Sequence, residues 1–203
     1  MDFPWLAGVV GFAFAMSATP GPNNTIVAAS GAAYGIARSM PLMTGIGLGV
    51  AGIMLVVAAF GASLVSDPRV GSLLKWIGIA YLLWLAWKIA MAEPVPQNAV
   101  EVTGSKPLSF IQGMLFQIVN PKLWVMVSGA VVTYGQAARG ITGYTVAVLF
   151  ACIFGFMTFI STVGWSALGA SVGRLLTSRR SVRCFNVSMA ILLVASLVPA
   201  IFE

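Results

Sequence analysis

Two short stretches hold the residues best able to do chemistry. One is Ser17-Ala18-Thr19-Pro20-Gly21-Pro22-Asn23-Asn24, with two prolines around a glycine and two amides directly after. The other is Gln117-Ile118-Val119-Asn120-Pro121-Lys122, with two amides, a proline and an ammonium. Proline removes a backbone donor and clashes with the carbonyl four residues earlier, so a helix running into Pro20 or Pro121 must stop or bend. A helix restarting at Pro22 or Pro121 uses proline where its missing N–H costs nothing. The first turn of such a helix presents free N–H groups and about half a positive charge. That end receives anions, carboxylates among them. The candidate binding residues are therefore Pro20, Gly21, Pro22, Asn23, Asn24, Gln117, Asn120, Pro121 and Lys122.

The elements that position these residues follow from composition. The chain has 203 residues, of which 59% are hydrophobic and only 8% charged, with a mean hydropathy of +0.97. A soluble domain carries about 25% charged residues. So few charges cannot cover a water-facing surface, so lipid is the expected solvent and the bilayer the expected partner. The net charge of +6 comes from Lys and Arg placed between apolar runs. That spacing sets topology and does not make a nucleic-acid surface. The first Lys or Arg is Arg38, so the N-terminal apolar run reads as a retained membrane helix and not a cleaved signal.

A membrane helix needs about 20 apolar residues. The charge-free runs predict an all-α integral membrane protein with six spans, near 3–36, 40–65, 70–91, 107–134, 142–171 and 183–202. The stretch 92–106, with Pro94, Pro96, Asn98 and Gly104, reads as a linker. It divides one transmembrane domain into a first repeat at 1–91 and a second at 107–203. Three spans per half make the halves run in opposite directions, as two inverted repeats. Pro20 and Pro121 then break spans one and four near the bilayer midplane, at corresponding places. Arg38, Lys88, Lys106, Arg174, Arg179, Arg180 and Arg183 fall on one side, against Arg69, Lys75 and Arg139 on the other. The bias puts the larger set in the cytoplasm and both termini outside.

Freed backbone groups at membrane depth must be buried in protein or line a wet cavity, so each break predicts a polar pocket. Hydroxyl and amide residues elsewhere in the apolar runs, including Ser17, Gln112, Thr158, Ser161, Thr162 and Ser166, are weaker signals, because hydroxyls bond readily to their own helix. The glycine pairs 45/49, 31/35 and 169/173 are small-residue faces suited to packing within the chain, with a homodimer face as the alternative.

Some functions are disfavoured. There is no histidine, and Cys152 and Cys184 read as small apolar residues, so no metal site or cofactor is expected. Asp2, Asp67, Glu93, Glu101 and Glu203 lie at termini or between runs. An intramembrane enzyme needs a nucleophile with its base, or metal ligands, at depth, and this chain is not expected to be one. A cationic side chain on a substrate would meet no buried counter-charge, so a neutral or zwitterionic substrate is expected. A channel or interaction subunit without saturable transport is the alternative, though rings of charge and repeated filter sequences are missing from the sequence.

The stretch Thr19-Pro20-Gly21-Pro22-Asn23-Asn24, the small-residue segment Gly31 to Arg38, the run Gly45-Ile46-Gly47-Leu48-Gly49 and the element Asn120-Pro121-Lys122 together resemble the LysE/RhtB family of amino-acid exporters. The likeness spans essentially the whole chain. It implies secondary, proton-linked efflux of amino acids or related small metabolites across a bacterial inner membrane, without a nucleotide-binding domain. The family motif positions carried over are Pro20, Gly21, Pro22, Asn120, Pro121 and Lys122.

Overall fold

Where no water reaches the backbone, a helix satisfies its own polar groups, and the apolar runs of this chain form helices throughout. The computed structural model describes residues 3–60, 68–91, 107–135, 143–175 and 178–198, and among these there are helices and no strands. The helices are α1 (Phe3–Ala18), α2 (Pro22–Phe60), α3 (Pro68–Ala90), α4 (Phe110–Phe116), α5 (Pro121–Tyr134), α6 (Gly143–Leu175) and α7 (Arg179–Ala195). A 3-10 turn at Gln117–Val119 joins α4 to Asn120, where the chain is extended before α5 begins. The linker 92–106, Arg139 and both chain ends lie outside the described residues.

The stretch α2 is not one rod. Gly35 has φ 79° and ψ 169°, a conformation open essentially to glycine alone. The Ser30 and Ser39 hydroxyls sit 2.7 Å apart there. In a continuous helix nine residues would separate them by about 13 Å of rise. The chain therefore folds back at Gly35 into two arms, 22–34 and 36–60. Ile26 and Val27 of the first arm share an apolar core with Leu42, Met43 and Ile46 of the second. Ser39 donates to the Gly35 carbonyl at 2.9 Å, which leaves Ser30 to donate to Ser39 and ties the turn. Charge placement predicts a connection near Arg38, but the turn falls three residues earlier, because only Gly35 can adopt the required backbone.

Helices α2 and α6 form the principal contact, α1 and α4 pack on that pair, and α3 pairs with α7. Close approach is set by missing side chains. A methyl at Gly31 would collide with the Ser166 backbone, at Gly45 with Phe110, and at Gly169 with Ala28. At Gly173 it would lie 2.7 Å from the Ala32 carbonyl. These glycine faces are occupied by the chain's own helices.

The burial pattern suits lipid. Ser17, Asn24, Thr25, Ser30, Ser39, Gln117, Asn120, Thr158, Thr162 and Ser166 are buried, while Phe3, Phe14, Leu48, Phe60, Ile111, Val132 and Phe156 are exposed. The second arm of α2, 36–60, and helix 143–173 are long and apolar enough to cross a membrane. The pair 110–119 and 121–134, bent by 67°, makes a third if it is one broken span.

Replacing Gly35 with Ala should destabilise the fold by about 1–3 kcal/mol, since nothing lies near the added methyl and only the backbone conformation opposes it. Gly52→Ala, in open space on a helix, should be neutral or stabilising by a few tenths of a kcal/mol. Unfolding titrations of both variants in detergent check the difference.

Candidate functional site

A helix leaves its last four carbonyls without intrahelical partners. At the end of α1 these are close to where the chain turns through Thr19, Pro20 and Gly21, and four consecutive carbonyls there receive side-chain donors from other helices. The Ser17 carbonyl accepts from Asn24 Nδ2 and from Ser161 Oγ, both at 2.8 Å. The Ala18 carbonyl accepts from Trp165 Nε1 at 3.2 Å. The Thr19 carbonyl accepts from Asn24 Nδ2 at 2.9 Å and from Lys122 Nζ at 2.6 Å. The Pro20 carbonyl faces Lys122 Nζ at 3.5 Å.

Lys122 thus reaches from the first turn of α5 to the interrupted end of α1. Gly21 makes room for it, since a methyl there would lie 2.7 Å from Lys122 Cδ and 3.0 Å from Nζ. The ammonium meets the partially negative end of α1, the favourable sense of the helix-dipole interaction.

A second tie lies alongside. Asn23 and Gln117 form a reciprocal amide pair, with Asn23 Nδ2 donating to Gln117 Oε1 at 3.0 Å and Gln117 Nε2 to Asn23 Oδ1 at 2.9 Å. Asn120 Nδ2 donates into the same pair, at 3.2 Å to Gln117 Oε1 and 3.3 Å to Asn23 Oδ1. Gln117 Nε2 also donates to the Gly113 carbonyl at 3.1 Å. The carbonyl of Ile118, in the 3-10 turn, is taken by Trp124 Nε1 at 2.8 Å.

These groups surround a cavity of about 30 Å³ lined by Ser17, Gly21, Asn23, Asn24, Asn120 and Lys122, with Thr158 opposite and Met16, Val50, Leu123 and Met126 as apolar walls. That is room for a water or two.

The structure therefore brings all nine sequence candidates to one junction, in distinct places. Gly21, Asn23, Asn24, Asn120 and Lys122 line the cavity. Gln117 lies just behind it, fully buried, holding Asn23 and Asn120. Pro22 and Pro121 are the buried first residues of α2 and α5. Pro20 is exposed and contributes its carbonyl. Sequence reasoning gave little weight to Ser17, Thr158 and Ser161 and did not single out Trp165. Ser17 Oγ and Thr158 Oγ1 are 3.1 Å apart across α1 and α6. A hydroxyl in an apolar run has no sequence signature separating it from one bonded to its own helix, and Thr162 and Ser171 are bonded that way. Gln112 stays outside the site, because it closes a capping box with Ser109 at the start of α4.

The profile of the LysE type translocators matches residues 14–197, a stretch that includes both breaks and the cavity between them. The chain belongs to the LysE type translocator family. Cysteine/O-acetylserine efflux proteins of Escherichia coli (strain K12), Shigella sonnei and Salmonella choleraesuis are each 34% identical to it over 181 residues, covering 87% of this chain and 87% of theirs. No solved structure matches. As a LysE type translocator with efflux proteins for relatives, the protein is an integral membrane transporter of the export class and not an enzyme.

In this LysE type translocator, Gly21→Ala should push the Lys122 stem aside while leaving the fold intact, because a flexible side chain can yield. Transport should fall roughly tenfold or more, the scale of loss from about 1 Å of misplacement in a working site. Gly11→Ala, with open space around its methyl, should transport as the unaltered protein does. Flux into proteoliposomes, with thermal unfolding as the check on folding, distinguishes the two.

Proposed function

We propose that the protein is a secondary transporter that exports amino acids or related small zwitterionic metabolites across the bacterial inner membrane by alternating access around the cavity between the two interrupted helices. The observation that carries this reading is the reach of Lys122 Nζ across to the Thr19 and Pro20 carbonyls, at a junction where polar groups from both breaks meet. Among the described residues the partners of Lys122 Nζ are neutral carbonyls, which an ammonium can exchange for a carboxylate, a stronger charge-assisted acceptor. The positive end of α5 favours the same anion.

The cavity is far smaller than an amino acid, so a bound substrate has to part the Lys122–Thr19 contact and widen the space between α1 and α5. Exchange of the ammonium from carbonyls to carboxylate couples binding to that parting. In this reading the chain crosses the bilayer six times as two inverted repeats, 1–91 and 107–203, with both termini outside. The repeats rock about the junction to open it to one side and then the other. The efflux relatives for cysteine and O-acetylserine favour a small neutral side chain on the cargo. The proton gradient is the proposed driving force. Asp and Glu occur only at the termini and between apolar runs, which leaves Lys122 as the ionisable side chain of the cavity.

Reconstituted flux tests this. Export of O-acetyl-L-serine or cysteine should saturate with concentration and respond to a pH gradient. Lys122→Ala and Pro121→Ala should abolish it with normal membrane insertion. Lys88→Ala, which removes an exposed lysine resting over the Trp84 ring, should leave it intact. Non-saturating conductance would establish a channel instead, and equal flux in all three variants would remove the central site.

A further inference from the structure

We infer that the side-chain oxygen of Asn120 is the acceptor that reads the free ammonium of the substrate, so that the site selects α-amino compounds over their N-acylated forms; this rests on the transport reading above. Asn120 is only 2% exposed and lines the cavity, yet its Oδ1 has no hydrogen-bond partner. An unpaired buried acceptor forfeits about 1–3 kcal/mol of solvation, so folded proteins rarely leave one without a role.

The orientation of the amide follows from its neighbours. The Gly113 carbonyl can only accept, so Gln117 must present Nε2 to it, and Gln117 Oε1 is thereby directed toward Asn23 and Asn120. Asn23 in turn presents Nδ2 to Gln117 Oε1 and Oδ1 to Gln117 Nε2. Asn120 therefore faces two acceptor oxygens and must offer its Nδ2 to both. Turning the amide over would set three oxygens against one another. One backbone carbonyl thus propagates through two amides to leave Oδ1 of the third unpaired.

Asn120 is also the residue before α5, where an asparagine oxygen ordinarily accepts an amide from the first turn. Here it makes no such bond, and the Leu123 amide is taken by the Asn120 backbone carbonyl at 3.1 Å. The oxygen is relieved of capping, and the widening of the cavity that admits a substrate opens it to a ligand. The start of α5 then carries both halves of a zwitterion receptor. Lys122 and the helix end take the carboxylate, and Asn120 Oδ1, two residues away, accepts from the ammonium. An N-acyl nitrogen is uncharged, keeps one hydrogen and adds bulk at that point.

O-acetyl-L-serine and N-acetyl-L-serine have the same atoms and differ in whether the amine is free. In proteoliposomes held slightly acidic to prevent acyl migration, the unaltered protein should favour the O-acetyl isomer in kcat/KM. In Asn120→Leu that preference should fall roughly 10- to 100-fold, the value of a hydrogen bond to a charged group. Stabilisation of the purified protein in detergent by each isomer gives the same ratio for a variant too slow to assay by flux. An unchanged preference in Asn120→Leu, or parity in the unaltered protein, overturns the inference while leaving transport standing. Lack of saturable flux of either isomer in the unaltered protein overturns the transport reading itself.

Discussion

Where α1 ends inside an apolar protein, backbone carbonyls must find donors that water would otherwise supply, and the rest of the junction is arranged around that need. The carbonyls of residues 17 through 20 draw Asn24 from α2, Ser161 and Trp165 from α6, and Lys122 from α5. Three helices are thereby held to the broken end of a fourth. The second break is treated the same way on a smaller scale, with Trp124 on the Ile118 carbonyl and Gln117 on that of Gly113. Where such a carbonyl is buried, as at Ser17, the donor satisfies a group that would cost free energy if left unpaired.

The two breaks are joined to each other by unlike contacts. The Asn23–Gln117–Asn120 cluster is buried or half-buried and interlocked, each amide fixing the orientation of the next, as suits a rigid element. The Lys122 contact is a single flexible stem crossing over Gly21, half-buried at the cavity edge. In the proposed transport cycle the first tie keeps its geometry and the second is exchanged for the substrate. Both ties lie at the start of α5.

Much of this is legible in the residues. Pro20, Pro22 and Pro121 mark where helices stop and start, because the constraint on proline is local and acts without tertiary context. Asn23, Asn24, Asn120, Gln117 and Lys122 are conspicuous because amides and ammonium groups are rare in apolar runs. Less legible is the turn at Gly35, which charge placement puts near Arg38. A glycine in a small-residue helix looks like a packing site until the path of the chain demands a positive φ. The parts of Trp165, Ser161 and Thr158 are not legible either, since their partners are backbone atoms more than 140 residues away or, for Thr158, the distant Ser17 hydroxyl.

The sequence by itself determined that the chain is a helical membrane protein, where its helices fail, and which polar side chains lie next to the failures. These follow from hydrophobicity and backbone chemistry, which act over a few residues. Only the tertiary structure decided that the two failures meet, that Lys122 reaches the Thr19 and Pro20 carbonyls, and that Asn24 closes the end of α1 while Asn23 joins the amide cluster. It also decided that of several amide oxygens the one on Asn120 is left over. Those outcomes depend on which helix faces lie together, and that is set by glycines whose missing side chains admit particular neighbours, a property of pairs of surfaces that no local pattern records.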